Sequence, residues 1–436
     1  MILTVQVKHI NKTLNGVITL PSSKSISNRV LMVKALSGLD IKISNLSDAK
    51  DTQILLQLLS AKGLTTFDVG HAGTAMRFLT AFLTIKEGEF VLTGSERMQQ
   101  RPIKILVDAL RTLGAEIEYL NNQGFPPLKI KGKKLLGGEI TVDGSVSSQY
   151  ISALMLVAPY LKNGLKINFE GQLTSKPYIE MTAEMMRYFG AELLWKENLI
   201  EIKVGEYVSK DFLVEADWSA ASYWYSMVAL AKEAEITLFG LQQNSLQGDS
   251  VVVKIYENFG VKTEYFENGM RLTKNSPLTT HLSPLCIDFT DCPDLAQTVA
   301  VTCAALNVPT KLTGLSTLRI KETDRIVALQ IELNKLGYNA EVENDDLIIA
   351  RYQAISLPNQ TSLRGTKQSL STKEIALPRS TSLAITGIKT YNDHRMAMAF
   401  APLALLFPIT IGNPDVVIKS YPNFWEDLKR VGFVII

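Results

Sequence analysis

The apolar positions of this chain switch repeatedly between a helical spacing of three and four and a strand alternation of two. In LRTLGAEIEY (residues 111–120) and MRYFGAELLW (186–195), an amphipathic helix ends in a bulky residue and glycine, and a strand follows. YENFGVKTEY (256–265) and LNKLGYNAEV (333–342) repeat the arrangement, with weaker copies in LLSAKGLT (58–65) and LKRVGFVI (428–435). Marker glycines therefore fall at Gly63, Gly114, Gly190, Gly260, Gly337 and Gly432. Each is expected to adopt the left-handed conformation that closes a helix before the chain turns into a strand. Six α/β units are predicted.

The steps between these glycines are 51, 76, 70, 77 and 95 residues, so the last interval holds extra chain. Residues 356–382, SLPNQTSLRGTKQSLSTKEIALPRSTS, are rich in Ser and Thr and lack periodicity. A mobile surface insertion without catalytic role is expected there. The first residues, MILTVQVKHINKTLNG, alternate like a strand and lack the apolar centre of a secretion signal. The most apolar run, Met396 to Ile411, contains Pro402 and Pro408 and reads as a buried helix and strand, too short to span a membrane.

Composition narrows the class. At 436 residues, with 46% hydrophobic and 20% charged, the chain exceeds one ordinary domain, and two are expected. Lys plus Arg outnumber Asp plus Glu by only 45 to 43, which gives no support to nucleic-acid or membrane binding. Cys286, Cys292 and Cys303 lack metal-ligand spacing and fit reduced thiols in a soluble, cytoplasmic protein.

Against that neutral background, cations and hydroxyls gather where helices begin. Pro21 to Arg29, PSSKSISNR, opens a helical spacing with Lys24, Ser25 and Arg29 beside exposed backbone N–H groups, the place where an anion is held or a helix capped. Gly70 to Arg77, GHAGTAMR, allows close backbone approach at Gly73, or is simply a tight turn. Arg101 precedes a helix-starting proline in ERMQQRP and could grip a carboxylate or phosphate with two hydrogen bonds. Ser147, Ser148 and Gln149 precede an apolar helix, and Ser175-Lys176-Pro177-Tyr178 repeats that arrangement. Asp294 follows Cys292-Pro293 at another helix start, where the local reading is a cap. Lys321-Glu322-Thr323-Asp324-Arg325 and Tyr391-Asn392-Asp393-His394-Arg395 put cations at the positive end of a helix, an unfavourable placement that an anionic ligand would explain. Lys419 adds a cation in KSYP. Such repetition points to a small polyanion bearing hydroxyls. No GxxxxGK[ST] loop or GxGxxG fingerprint occurs in the sequence, so nucleotide hydrolysis and hydride transfer have little support.

PSSKSISNR, GHAGTAMR, RMQQRP, GSVSSQ, SKPY, CPD, RIKETDR, YNDHRMAM and KSYP, nine motifs in order, resemble the 5-enolpyruvylshikimate-3-phosphate synthases, the 3-phosphoshikimate 1-carboxyvinyltransferases. The resemblance runs from about residue 5 to 430. It implies an α/β fold of two domains, each an inside-out α/β barrel of three repeated units, with the active site in the cleft between them. By that analogy, residues 1–20 and 216–436 form the first domain and 21–215 the second. The implied reaction transfers the enolpyruvyl group of phosphoenolpyruvate to the 5-hydroxyl of shikimate 3-phosphate, without metal or organic cofactor, in a protein expected to act as a monomer. Lys24, Ser25, Arg29, Ser147, Ser148, Gln149, Ser175 and Lys321 would bind shikimate 3-phosphate. Lys24, the Gly73 backbone, Arg101, Arg325, Arg395 and Lys419 would surround phosphoenolpyruvate. Asp294 would accept the hydroxyl proton, and either Glu322 or Lys24 would deliver one to carbon.

Three positions depart from the family pattern. His71 and Thr317 stand where asparagine is common, and the insertion enters shortly before YNDHR. Thr317 keeps a hydroxyl that could contact the shikimate phosphate. Two rivals remain. The related transferase acting on UDP-N-acetylglucosamine commonly carries a cysteine before its Arg-Pro pair, whereas Ser95 to Gln100 has none. A non-catalytic phosphate sensor would have no use for Asp294, Glu322 and Lys24 together.

Overall fold

The computed structural model describes residues 3–275, 284–351 and 387–436, so the predicted insertion at 356–382 lies outside the described residues. The described strands form five four-stranded sheets and one two-stranded pair. Every four-stranded sheet follows one plan. Thr13–Thr19 runs parallel to Glu233–Phe239, which pairs antiparallel with Gly269–Lys274, and that strand pairs antiparallel with Val261–Phe266. The same succession organises Thr66–Asp68, Gly88–Thr93, Leu128–Gly132 and Glu116–Tyr119. In one sheet the third strand is Thr4–His9, which joins Ile409–Gly412 and Phe433–Ile435 from the far end of the chain.

All six marker glycines have positive φ, from 70° at Gly63 to 99° at Gly114. One unit per marker, however, does not hold. The strands that follow Gly63 and Gly114 belong to a single sheet. The helix Lys50–Ser60 already ends at Ala61 in extended conformation, which leaves Gly63 in the turn beyond. The sixth sheet is the short parallel pair Ile43–Ser44 and Phe212–Leu213. Its entry is closed by Gly38 at φ 65°, which the bulky-residue signature passes over because Ser37 precedes it.

Buried apolar side chains form two clusters, one from residues 7–20 and 216–433 and the other from 26–214. Helices Gly73–Ile85, Ser148–Val157, Trp218–Leu230 and Ala296–Ala305 are buried around nearly their whole circumference. Strands such as Leu128–Gly132 instead alternate buried and exposed positions. Trp218 and Trp224 are fully buried in the first cluster, each contributing on the order of 3 kcal/mol by removal from water. The chain passes between the clusters at two adjacent points. Ser22 bridges Ala216, Ser23 N donates to Glu215 O (2.8 Å), and Asp217 N donates to Pro21 O (2.8 Å). No helix among the described residues is long and apolar enough to cross a membrane.

Candidate active site

Lys24 begins the helix Lys24–Ser37 immediately after this double crossing. Ser23 caps the helix by accepting from Ile26 N, and Lys24 N donates to Asp217 Oδ2 (3.3 Å), so the backbone here is held from both sides. Lys24 Nζ meets Asp51 Oδ2 at 3.1 Å. Burial works to lower the ammonium pKa, but Asp51 and Glu322 reverse it, and Lys24 stays protonated.

Arg29 is also buried, and its fork is largely committed to protein acceptors. It donates to Thr182 Oγ1 (2.7 Å), Ser25 O (2.9 Å), Tyr178 O (3.1 Å) and Ser152 Oγ (3.2 Å), and burial brings its pKa down to about 10. Arg101 is different. Among the described residues its side chain makes no hydrogen bond or ion pair, and its buried Nε has no partner. Burial, followed by the like charge of Arg77, lowers it to about 10. A buried, unmatched guanidinium is costly unless an anion completes it. Lys321 likewise has no side-chain partner among the described residues, and burial lowers its pKa, with Asp294 opposing.

Opposite these cations lies a compact ionic cluster centred on Arg325. Its Nε and Nη2 hold Asp393 (2.7 and 3.2 Å), Nη2 also holds Glu322 Oε2 (2.7 Å), and Nη1 holds Asp294 Oδ1 (3.1 Å). Arg395 Nη2 takes the other Asp294 oxygen at 2.7 Å. Burial would raise the Asp294 pKa, but Arg395, Lys321 and Arg325 hold it well below the ordinary carboxylate range. Glu322 is depressed in the same way, burial being outweighed by Arg325, His394 and Arg101. The local expectation that Asp294 caps a helix is overturned. The chain after Cys292 first makes a 3-10 turn, Pro293–Leu295, with no side-chain cap, and the carboxylate turns to the arginines instead. Asp217, Asp324 and Asp393 are the carboxylates that cap helices here.

Fifteen of the residues expected from sequence line one cavity: Lys24, Ser25, Arg29, Gly73, Arg101, Ser147, Ser148, Gln149, Ser175, Asp294, Thr317, Lys321, Glu322, Arg325 and Arg395. They come from both parts of the chain that build the two apolar clusters. Lys419 is the exception: its Nζ donates to Asn392 O (2.6 Å), and its neighbour Ser420 reaches the wall in its place. Thr317 Oγ1 is buried there without a partner. His71 stands just outside, its Nδ1 2.9 Å from Ser95 Oγ.

Sequence reading assigned no role to Asp51, Tyr178, Tyr223, Asp249 or His394, which also line the wall, as does Asp217, the cap of the helix Trp218–Leu230. Asp249 accepts from Tyr178 Oη (3.2 Å) and from Ser219 Oγ; burial and the nearby Asp294 raise its pKa to about 7. Its only sequence signal was Gln247-Gly248-Asp249 at the start of a short helical turn. Glu322, Asp393 and His394 lie close enough to hold a metal ion, but Arg325 already holds both carboxylates and opposes a second cation.

The family model described as EPSP synthase (3-phosphoshikimate 1-carboxyvinyltransferase) matches residues 8–68 and 62–428. A 3-phosphoshikimate 1-carboxyvinyltransferase from Bacteroides fragilis is 49% identical over 424 residues, covering 97% of this chain and 96% of the relative. One from Haemophilus influenzae is 37% identical over 451 residues, covering 95% and 96%. The solved structure of EPSP synthase from Acinetobacter baumannii superposes with a TM-score of 0.75 at 22% identity, covering 99% of both chains, a likeness of fold. Sequence, fold and the matched motifs agree, and the chain belongs to the EPSP synthase family, the 3-phosphoshikimate 1-carboxyvinyltransferases.

Proposed function

We propose that this chain transfers the enolpyruvyl group of phosphoenolpyruvate to the 5-hydroxyl of shikimate 3-phosphate and releases inorganic phosphate, with its chemistry in the cavity around Arg325. The observation that carries the reading is the unmatched Arg101, buried beside Gly73 and facing a cluster of carboxylates already bound to arginine. Arg101 and Lys321 supply charge for the anionic groups of the substrates, while Ser147, Ser148, Gln149 and Ser175 present hydroxyl and amide groups to shikimate 3-phosphate.

The chemistry needs a proton on the vinyl carbon, a base for the attacking hydroxyl, and cations over the phosphate and carboxylate. Lys24, which holds a proton, or Glu322, once substrate anions compete for Arg325, protonates the methylene carbon. The 5-hydroxyl oxygen bonds to the adjacent carbon as its proton passes to Asp294, giving a tetrahedral intermediate. Return of a proton from the new methyl group to the group that delivered it then expels phosphate and restores the double bond. Asp294 is a weak base while Arg395 and Arg325 hold it. Substrate anions that compete for those guanidiniums raise its proton affinity at the moment of need.

The two apolar clusters, the shared strand plan and the paired crossing at Ser22 and Ala216 support two domains, 1–20 with 216–436 and 21–215. Helices buried all round and sheets buried on alternate positions support an inside-out barrel in each. Action as a monomer in the cytoplasm is part of the same proposal and rests on the family resemblance alone. The direct test is phosphate release with each substrate alone and with both. Release that requires both agrees with the proposal; release from phosphoenolpyruvate alone contradicts it.

A further inference from the structure

Arg97 sits on the four-residue helix Glu96–Gln99, four positions before Arg101, and is not part of the cavity wall. Its guanidinium leaves its own apolar cluster and reaches the chain of the other. Nε donates to Glu322 O (3.0 Å) and Nη2 to Lys321 O (3.1 Å), about 225 residues away in sequence. The two acceptors are successive main-chain carbonyls of the residues whose side chains enter the cavity. Lys321 lies between the 3-10 turn Ser316–Ile320 and the Asp324 cap, in extended conformation, so no helical hydrogen bond fixes these two peptide planes.

Other contacts cross the same boundary. Ser175 N donates to Thr290 O (2.9 Å), Lys176 N to Asp291 Oδ1 (3.2 Å), and Tyr178 Oη to Asp249. None of these grips the main chain of the Lys321–Glu322 pair. The short helix is itself pinned to the floor of the site: Ser95 caps it, Ser95 N donates to Gly70 O (2.9 Å), and Arg101 N donates to Met98 O (3.1 Å). Arg97 and Arg101 are thus one rigid turn apart, one fixing the opposite backbone and the other facing the cavity.

We propose that Arg97 is a positioning residue that orients the Lys321–Glu322 peptides across the boundary, so that Glu322 and Lys321 are correctly placed only when the two halves of the molecule are together. This rests on the function proposed above. A fork spanning two carbonyls sets the rotation of both peptide planes, and through them the direction of each Cα–Cβ bond. A lysine at this position could reach one carbonyl and set one plane.

The test pairs steady-state kinetics with amide hydrogen exchange on the parent, Arg97→Ala and Arg97→Lys. Losing a charge-assisted pair of this kind predicts a kcat about tenfold to a hundredfold lower in Arg97→Ala. The KM for shikimate 3-phosphate should rise alongside by about threefold to tenfold as Lys321 loses its placement, and Arg97→Lys should fall between. Exchange at amides 320–323 should quicken about tenfold in Arg97→Ala, with the melting temperature and exchange elsewhere little changed. Unchanged kcat in a parent that turns over, or a raised KM with kcat intact, overturns the proposal. Unchanged exchange at 320–323 overturns it whether or not the parent is active. An inactive parent whose exchange responds to Arg97→Ala instead refutes the assigned reaction and leaves the positioning contact standing.

Discussion

A side chain on Gly73 would stand 2.5 Å from Nη1 of Arg101, so the one buried guanidinium without a partner among the described residues lies flat against a backbone that must carry no Cβ. Gly73 is also the first residue of the helix Gly73–Ile85, and its N–H belongs to the positive end of that helix. The glycine is therefore required by the neighbour it admits; its φ is not in the left-handed range.

Gly73→Ala is expected to push Arg101 aside and raise the KM for phosphoenolpyruvate about tenfold, the effect of one displaced charge-assisted contact. The KM for shikimate 3-phosphate should change by less than about threefold. Initial rates with each substrate varied in turn check this, and equal effects on both would place Arg101 elsewhere in the reaction.

Arg325 neutralises Asp393, Glu322 and Asp294 at once, and Asp393 has no exposed side-chain surface. Arg325→Met should cost about 3–5 kcal/mol of folding stability, because three carboxylates lose their common counter-charge. Denaturant unfolding measures it; a loss below about 1 kcal/mol would mean that the cluster relaxes freely.

Asp249 gives the pH dependence. Its folded pKa, about 7, lies above the ordinary carboxylate value, so the folded state binds the extra proton between the two. The stability this contributes is present below about pH 4 and is lost as pH rises toward 7, at up to about 1.4 kcal/mol per unit. Asp249→Asn should flatten that decline. Thermal unfolding from pH 4 to 8 in both proteins decides it, and parallel curves would contradict the assignment.

Gly114 closes a helix at φ 99°, and a Cβ added there would meet nothing within 4 Å. Gly114→Ala should therefore cost about 1–2 kcal/mol through backbone strain alone and leave kcat unchanged. An unaltered melting temperature would show that the turn relaxes without penalty.

Much of this was legible in the chain because the signals are local. Gly114, Gly190, Gly260, Gly337 and Gly432 each announce a helix end, and each has the backbone that role requires. Gly38 escaped because serine, not a bulky residue, precedes it. In the site, Lys24, Arg101, Arg325 and Arg395 stood out because cations at helix starts oppose the dipole. Asp294 was misleading on local grounds, since a carboxylate at a helix start ordinarily caps it, and only tertiary structure brings Arg325 and Arg395 to it. Asp249 and Arg97 were illegible for the same reason: their partners, Tyr178 and the Lys321–Glu322 carbonyls, are remote in sequence.

The most direct measurement is phosphate release from shikimate 3-phosphate and phosphoenolpyruvate, run side by side on the parent and on Asp294→Ala. The parent should release phosphate only with both substrates. Asp294→Ala, folded and still binding shikimate 3-phosphate, should be slower by about a hundredfold or more, the usual worth of a positioned general base. A folded parent that releases no phosphate, or an Asp294→Ala protein as fast as the parent, would contradict the proposed chemistry.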